Sequence, residues 1–241
     1  MNKKDKIIQV RKLYKIYDMG EEKVYALRNI HLNVFRGEIC CIFGPSGSGK
    51  STLLNQLAGL EKPSRGGVKI CGEIISKMDE NELAAFRQKH SGFIFQSYDL
   101  LQHLNALENV ALPLEFAGVE RSIRQKRAKE MLKRVGLAKR LKHYPRQISG
   151  GQQQRVGIAR AFVNRPEVIF ADEPTGNLDS KSTKEVMEMM VDFVREYDQT
   201  LILVTHDQEM AAYADHIVTL SDGRIIKEEW KEKEEIYEEK F

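Results

Sequence analysis

A glycine-rich stretch directly after a short apolar run constrains this chain more than any other feature. The stretch consists of Gly44, Pro45, Ser46, Gly47, Ser48, Gly49, Lys50 and Ser51, followed by Thr52. It fits the pattern G-x-x-x-x-G-K-[ST] at each defined position, and the run before it, residues 38–43, is typical of a buried strand. Leucines at helical spacing follow it. The sequence therefore predicts a strand, a phosphate-binding turn and a helix, in that order.

This turn has the composition that triphosphate binding requires. Several backbone N–H groups must curl around the phosphates, and residues without bulky side chains permit that curl. The helix that begins near Lys50 directs free N–H groups and the positive end of its dipole at the same anion. Lys50 supplies a positive charge for the outer phosphates, and the Ser51 hydroxyl is a candidate ligand of Mg²⁺. A nucleoside triphosphate with Mg²⁺ is therefore the expected ligand.

A second apolar run, residues 168–171, ends in two adjacent acids, Asp172 and Glu173. A carboxylate at the end of a buried parallel strand lies at the sheet edge where such sheets bind ligands. Asp172 is a candidate to hold the metal through its water shell, and Glu173 is a candidate to polarise an attacking water. Because the chain also has a phosphate-binding turn, the two acids predict hydrolysis in addition to binding.

A third segment, residues 148–155, narrows the class of triphosphatase. The phosphate-binding turn alone leaves GTPases, kinases, helicases and transporters open. Ser149, Gly150 and Gly151 precede a predicted helix over 152–164, which gives the chain a second helix N-terminus with small residues and free N–H groups. Two phosphate-binding helix ends with one hydrolytic carboxylate indicate that the second end serves the nucleotide of a neighbouring copy.

Together these segments resemble the ATP-binding-cassette (ABC) ATPase family over nearly the whole chain, to about Lys227. The resemblance implies that residues 44–52 are the Walker A loop and that residues 168–173 are Walker B, with Glu173 as the catalytic glutamate. It also implies a signature motif that reaches the γ-phosphate in a partner subunit. That motif is Ser149, Gly150, Gly151 and Gln152. The implied ligands are ATP and Mg²⁺.

Other positions take their roles only from this resemblance. Gln96 fits the Q-loop glutamine, which senses the metal and the permease, so the implied metal residues are Ser51, Gln96 and Asp172. His206 fits the catalytic switch histidine, and residues 177–179 fit the D-loop. Tyr17 fits the aromatic residue that stacks on adenine, with the nearby Tyr14 as the alternative.

Finer features are similar to one branch of the family, that of macrolide efflux, lipoprotein release and antimicrobial-peptide resistance. They lie in residues 108–113, 152–155 and 173–179. The branch implies a homodimer of ATPase subunits at the cytoplasmic face of the membrane, which drives a separate permease of the FtsX or macrolide-exporter type. An ABC ATPase that regulates a cell-wall or cell-division permease without substrate transport stays open as the alternative.

The order of the elements predicts an α/β fold of the P-loop NTPase (ABC ATPase) type in a single domain over 1–241. Strand and helix patterns in residues 1–96 and 165–227 predict a RecA-like lobe with a parallel sheet and an N-terminal antiparallel β lobe. Helical periodicity in residues 97–164 predicts an inserted α-helical lobe. The charged residues 228–241 predict a solvated tail.

Composition limits the partners that the chain can have. Lys and Arg total 38 against 35 Asp and Glu, so the net charge of +3 gives no reason to expect nucleic acid as a partner. No apolar run approaches the roughly 18–20 residues of a membrane span, so contact with a membrane requires another chain. Cys40, Cys41 and Cys71 lack paired metal-ligand spacing and are expected to be reduced thiols in the core.

The stretch from Tyr98 to Phe116 is rich in apolar residues and contains no Lys or Arg. An exposed apolar groove is typical of a partner site, and a permease helix would fit one. We therefore expect Tyr98, Leu100 and Leu101 to line a docking groove.

Overall fold

Two β-sheets and seven α-helices make up the described part of the chain, residues 5–20 and 22–231 of a computed structural model. The strands are β1 (Lys6–Met19), β2 (Glu22–Phe35), β3 (Ile39–Phe43), β4 (Arg65–Ile70), β5 (Ser91–Phe95), β6 (Val168–Asp172), β7 (Thr200–Thr205), β8 (His216–Ser221) and β9 (Arg224–Trp230). The smaller sheet has the order β2-β1-β4 and is antiparallel. The larger has the order β5-β6-β7-β3-β8-β9 and is parallel except for β9.

The helices are α1 (Lys50–Leu57), α2 (Glu80–His90), α3 (Ala106–Phe116), α4 (Arg121–Arg134), α5 (Gly150–Phe162), α6 (Ser180–Glu196) and α7 (Gln208–Ala211). Capping boxes at Asp79, Asn105 and Ser149 begin α2, α3 and α5, because each side chain satisfies an N–H that the first turn leaves free. Within the described ranges, no helix is both long and apolar enough to cross a membrane.

The core lies on both faces of the larger sheet. Residues 39–42 of β3 are all buried, and successive side chains point to opposite faces. Cys40 accordingly packs with the smaller sheet and α1, whereas Cys41 packs in the cluster that contains α3, α4, α5 and α6. The helical insertion therefore shares one continuous core with the sheet, which fixes its position relative to the strand ends.

The α/β fold with a parallel sheet, an antiparallel β lobe and inserted helices is confirmed. Some details differ from the sequence predictions. Strands β1 and β2 are each 14 residues long and form one hairpin. They continue without interruption because β-bulges accommodate the places where the alternation of apolar and polar residues is broken. Helix α2 was not predicted, since it buries only Leu83, Phe86 and His90 and so has little periodicity. Helix α5 begins at Gly150, two residues earlier than predicted.

Two further expectations need correction. The charged tail was expected to begin at residue 228, but β9 continues to Trp230, because pairing with β8 satisfies its backbone. Residues 232–241 of that tail lie outside the described residues. Cys71 was expected in the core, yet it lies in the turn after β4 and is only half-buried.

Candidate functional site

Four neighbouring strands of the larger sheet end in register at one edge. Phe43 pairs with Thr205, and Asp172 pairs with both Val204 and Phe95. Parallel pairing therefore places the next residue of each strand along the same edge. These residues are Gly44, His206, Glu173 and Gln96. Segments far apart in the sequence thus form one row at the carboxyl edge.

The glycines of the phosphate-binding turn are required by close backbone contacts. Gly44 has φ 157°, and a side chain there would place its Cβ 2.2 Å from the carbonyl oxygen of Leu220. Gly49, at φ 101°, would place a Cβ 2.6 Å from the carbonyl oxygen of Ala26. These distances are shorter than van der Waals contact, so only glycine fits. The turn is therefore a cradle whose inner surface is backbone.

The polar side chains after the cradle fit a bound polyphosphate and a metal. Lys50 is buried, its Nζ donates to the carbonyl of Pro45 at 2.8 Å, and no carboxylate of the described residues forms an ion pair with it. The Ser51 hydroxyl donates to Asp172 Oδ1 at 3.2 Å. Burial, and then the charge of Glu173, raises the pKa of Asp172. A cation at Ser51 and Asp172 would offset this unfavourable burial of negative charge.

Glu173 and His206 form a pair at the mouth of the cradle. Glu173 Oε1 lies 2.9 Å from His206 Nδ1, and the Glu173 N–H donates to the carbonyl of Val204 at 3.0 Å. Glu173 has φ 43°, in the left-handed region that a glutamate seldom adopts. The local backbone and His206 therefore fix the direction of this carboxylate.

Two cavities, of about 420 and 520 Å³, meet at Ser46 and Glu173. The first is lined by the cradle residues Gly47, Gly49, Lys50, Ser51 and Thr52, and the second by Pro45 and His206. The first is also lined by residues that the sequence predictions missed. They include Val24, Tyr25, Arg28, Asp222 and Gly223.

The turn between β8 and β9 supports the cradle from behind. The Gly223 N–H donates to the carbonyl of Ser48 at 3.0 Å, and the Arg28 N–H donates to the carbonyl of Gly223 at 2.7 Å. The dipeptide Asp222-Gly223 is a sequence signal for a hairpin turn. Its contact with the cradle joins residues that are far apart in the sequence, so no local pattern predicts it.

Tyr17 and Gln96 lie beside these cavities without lining either of them. The Tyr17 hydroxyl donates to Glu61 Oε2 at 2.7 Å, and burial together with Glu61 raises the pKa of the phenol. The carbonyl of Gln96 accepts from Asn177 Nδ2 at 2.9 Å. Gln96 is exposed and rests on the loop that follows Glu173.

Residues 149–152 form the N-terminus of α5, where Ser149 is exposed and the other three residues are half-buried. The Ser149 N–H donates to Gln152 Oε1 at 3.2 Å, and the Gln152 N–H donates to Ser149 Oγ at 3.4 Å. None of these four residues is among those lining the two cavities. A Cβ on Gly150 would lie 2.8 Å from the hydroxyl oxygen of Tyr98. The second helix end is therefore separate from the cradle of its own chain.

The expected docking groove is wrong in its residues. Leu100 is only 6% exposed and belongs to the core, while Tyr98 contacts the start of α5. A larger and mainly apolar groove of about 830 Å³ lies between α2, β5, α3 and α5. The stretch 98–116 contributes Asp99 near its start and Leu112, Pro113 and Phe116 at its end to this groove, which Phe93 and Phe95 also line. The density of apolar residues in this segment did not indicate which of its side chains would be exposed.

Known proteins are similar to this chain in sequence. Residues 27–176 match the ABC transporter family. An uncharacterised ABC transporter ATP-binding protein of Methanocaldococcus jannaschii is 53% identical over 221 residues, which are 92% of this chain and 98% of that protein. The macrolide export ATP-binding/permease protein MacB of Shewanella sp. (strain ANA-3) is 49% identical over 223 residues, which cover 92% of this chain and 34% of MacB.

Solved structures agree with these relatives. A dimeric ATP-binding cassette in a post-hydrolysis state with ADP and Pi superimposes with a TM-score of 0.87 at 44% identity, covering 92% of this chain and 98% of that one. The sequence match, the shared fold and the cradle with its adjacent carboxylates lead to one conclusion. The chain belongs to the ABC transporter family, as its ATP-binding and ATP-hydrolysing subunit.

Proposed function

We propose that this chain hydrolyses ATP as one half of a homodimer and drives a separate transmembrane permease. The observation that carries the proposal is the separation of the two helix ends. The cradle lies with Glu173 at the sheet edge, whereas Ser149 is exposed at the start of α5, outside both cavities. A two-fold arrangement lets each Ser149 complete the site of the partner. The related cassette described above is itself dimeric.

Within each site, the cradle residues 44–52 hold the phosphates through backbone N–H groups and Lys50. Ser51, Asp172 and Gln96 are the residues that would hold Mg²⁺, directly or through water, and the ion would neutralise charge on the phosphates. Tyr17 is the proposed stacking partner of the adenine. Tyr25 and Arg28 line the cavity at the cradle and are further candidates for contact with the nucleoside.

Glu173 is the proposed general base. Its carboxylate is held 2.9 Å from His206 Nδ1 at the junction of the two cavities, where a water could approach the outer phosphate. It would accept the proton of that water as the P–O bond to the leaving diphosphate breaks. His206 orients this carboxylate and is placed to contact the phosphate that leaves.

The permease is the proposed occupant of the 830 Å³ groove. The groove borders β5, and Gln96 is the residue directly after β5, so a movement of Gln96 at the phosphate end of the strand would reach the wall of the groove through β5. MacB, the relative that spans both functions, is named as an ATP-binding/permease protein. By this likeness we propose a partner of the macrolide-exporter or FtsX type, with the ATPase at the cytoplasmic face of its membrane.

The dimer is tested with Glu173→Gln. Glutamine keeps the shape of the side chain but is no base, so we expect ATP binding to remain while hydrolysis falls by at least about 100-fold. Light scattering should then report a monomer without nucleotide and a dimer with ATP. The double variant Glu173→Gln/Ser149→Arg is the control and should stay monomeric. The same mass with and without ATP would refute closure around the nucleotide.

The groove is tested with Phe116→Asp. Phe116 is 68% exposed, so a charge there should leave folding and basal ATPase activity intact while co-purification with a co-expressed candidate permease is lost. Leu101→Asp is the matched control, because Leu101 is 39% exposed but lies outside the groove. Equal loss of binding in both variants would place the docking surface elsewhere.

A further inference from the structure

Three side chains with metal-binding atoms come together at the amino edge of the larger sheet, opposite the nucleotide edge. They are Cys71, His90 and Glu167, and their potential ligand atoms all lie within 4.8 Å of one another. Cys71 follows β4, His90 ends α2, and Glu167 precedes β6. The cluster therefore joins the smaller sheet to the larger one through three separate segments.

Neighbouring residues already orient these groups. His90 Nδ1 lies 2.7 Å from Glu167 Oε1, and Arg36 donates to the other oxygen, Oε2, at 2.6 Å. The arginine thus holds the outer oxygen of Glu167 and leaves Oε1 directed at the cluster. His90 Nε2, on the other side of the ring, faces Glu73 Oε1 at 3.7 Å, so Glu73 is placed to support the imidazole from behind. Such hydrogen-bonded carboxylates are the usual support of metal ligands.

Cys71 lies at a backbone position that does not favour cysteine. Ile70 and Glu73 exchange two backbone hydrogen bonds of 2.9 Å each, which makes Cys71 and Gly72 the two central residues of a tight hairpin. Both have positive φ, 50° and 85°. Such turns favour Asn-Gly or Asp-Gly, so local conformation does not explain a cysteine here. The turn does, however, place Cys71 in the cluster and Glu73 behind the ring of His90.

We propose that Cys71, His90 and Glu167, with water as the fourth ligand, bind a zinc ion that ties the β4 turn to the larger sheet. One thiolate, one imidazole and one carboxylate form a donor set that zinc accepts in tetrahedral geometry. Ligands at roughly 2.0–2.3 Å from zinc lie roughly 3.3–3.8 Å apart. Closure of the cluster therefore needs movements of about 1 Å by side chains that are half-buried at Cys71 and Glu167 and buried at His90.

The thiol must lose its proton when zinc binds. Burial, with the negative charge of Glu167 as the next cause, raises the pKa of Cys71 to about 12. Zinc would supply positive charge next to both groups and displace the proton, as metal ions do at coordinating thiols.

Zinc titration of the tag-free, full-length chain, followed by calorimetry, tests this site. We expect one equivalent to bind, and Tm to rise by roughly 5–10 °C at a zinc concentration about 100-fold above Kd. Cobalt should give the charge-transfer absorption of a thiolate ligand. In Cys71→Asn and His90→Gln, both the binding and the Tm rise should be lost. Because asparagine suits the turn, Cys71→Asn should fold normally without metal.

Cys40→Ala is the matched control. Cys40 also lies in a trio, with Glu38 and His216, but all three are buried and have no route for an ion. This variant should bind zinc like the native chain. The proposal fails if the native chain binds no zinc, or if Cys71→Asn and His90→Gln retain the same stoichiometry and cobalt spectrum.

Discussion

Replacement of Gly223 by alanine tests whether the turn between β8 and β9 holds the phosphate cradle in place. Gly223 has φ 69°, and a Cβ there would lie 2.6 Å from the carbonyl oxygen of Ala26. Because the obstructing atom is backbone, the turn itself must move. That movement would break or lengthen the hydrogen bond from the Gly223 N–H to the carbonyl of Ser48, now 3.0 Å.

Two contributions add to the cost in stability. A left-handed conformation costs alanine about 1–2 kcal/mol relative to glycine, and the close contact adds about 1–3 kcal/mol, the usual cost of overpacking. Gly118→Ala isolates the first contribution, because Gly118 has φ 70° and nothing within 4 Å of its Cβ position. The two variants should therefore differ by about 1–3 kcal/mol in free energy of unfolding, measured by urea denaturation.

Nucleotide binding gives the second readout. Displacement of the cradle should remove at least one hydrogen bond to a phosphate, which contributes about 1.5–3 kcal/mol when the acceptor is charged. We therefore expect Gly223→Ala to weaken ATP binding by about tenfold or more, measured by calorimetry in the Glu173→Gln background. Gly118→Ala should leave ATP binding unchanged. If both variants lose equal stability and neither changes Kd for ATP, the turn does not support the cradle.

Three further results are expected. Tyr98→Ala should reduce ATP-driven dimerisation by about tenfold without changing ATP binding to the monomer, because the Tyr98 hydroxyl lies against Gly150 at the start of α5. Tyr98→Phe, which keeps the ring, should reduce dimerisation less, and light scattering as a function of ATP concentration measures both effects. Asp172→Asn should raise Tm of the nucleotide-free protein in EDTA at pH 7, because the pKa of Asp172 is raised by burial; the gain should disappear as pH falls toward about 3.9, the unfolded value. Mixing Lys50→Ala with Ser149→Arg should restore part of the ATPase activity, at most about half of the native rate, since each mixed dimer has one intact site of two. No recovery on mixing would count against the shared site or show that the two sites of the dimer are strictly coupled.

The catalytic motifs could be found in the sequence because their chemistry depends on residue type and short spacing. The cradle needs glycines in a fixed order before Lys50, and the hydrolytic acids need a buried strand directly before Asp172. Strand β6 is apolar up to Asp172, which predicts a buried strand of a parallel sheet. The carboxyl ends of such strands lie at the edge where the sheet binds ligands. The resemblance to a family then supplied Gln96 and His206, and the register of β5 and β7 brings both to that edge.

The positions that the sequence left undecided depend on contacts between distant segments. Which side chains of the stretch 98–116 face solvent depends on how α3 packs on α5, and this packing buries Leu100 and exposes Phe116. The support of Ser48 by Gly223, and the meeting of Cys71 with Glu167, need both sheets to be in place. Residue type and short spacing indicated what chemistry this chain can perform, because both are local properties of the sequence. Tertiary structure decided which side chains stay at the surface and can contact a partner, because burial is a property of the whole fold.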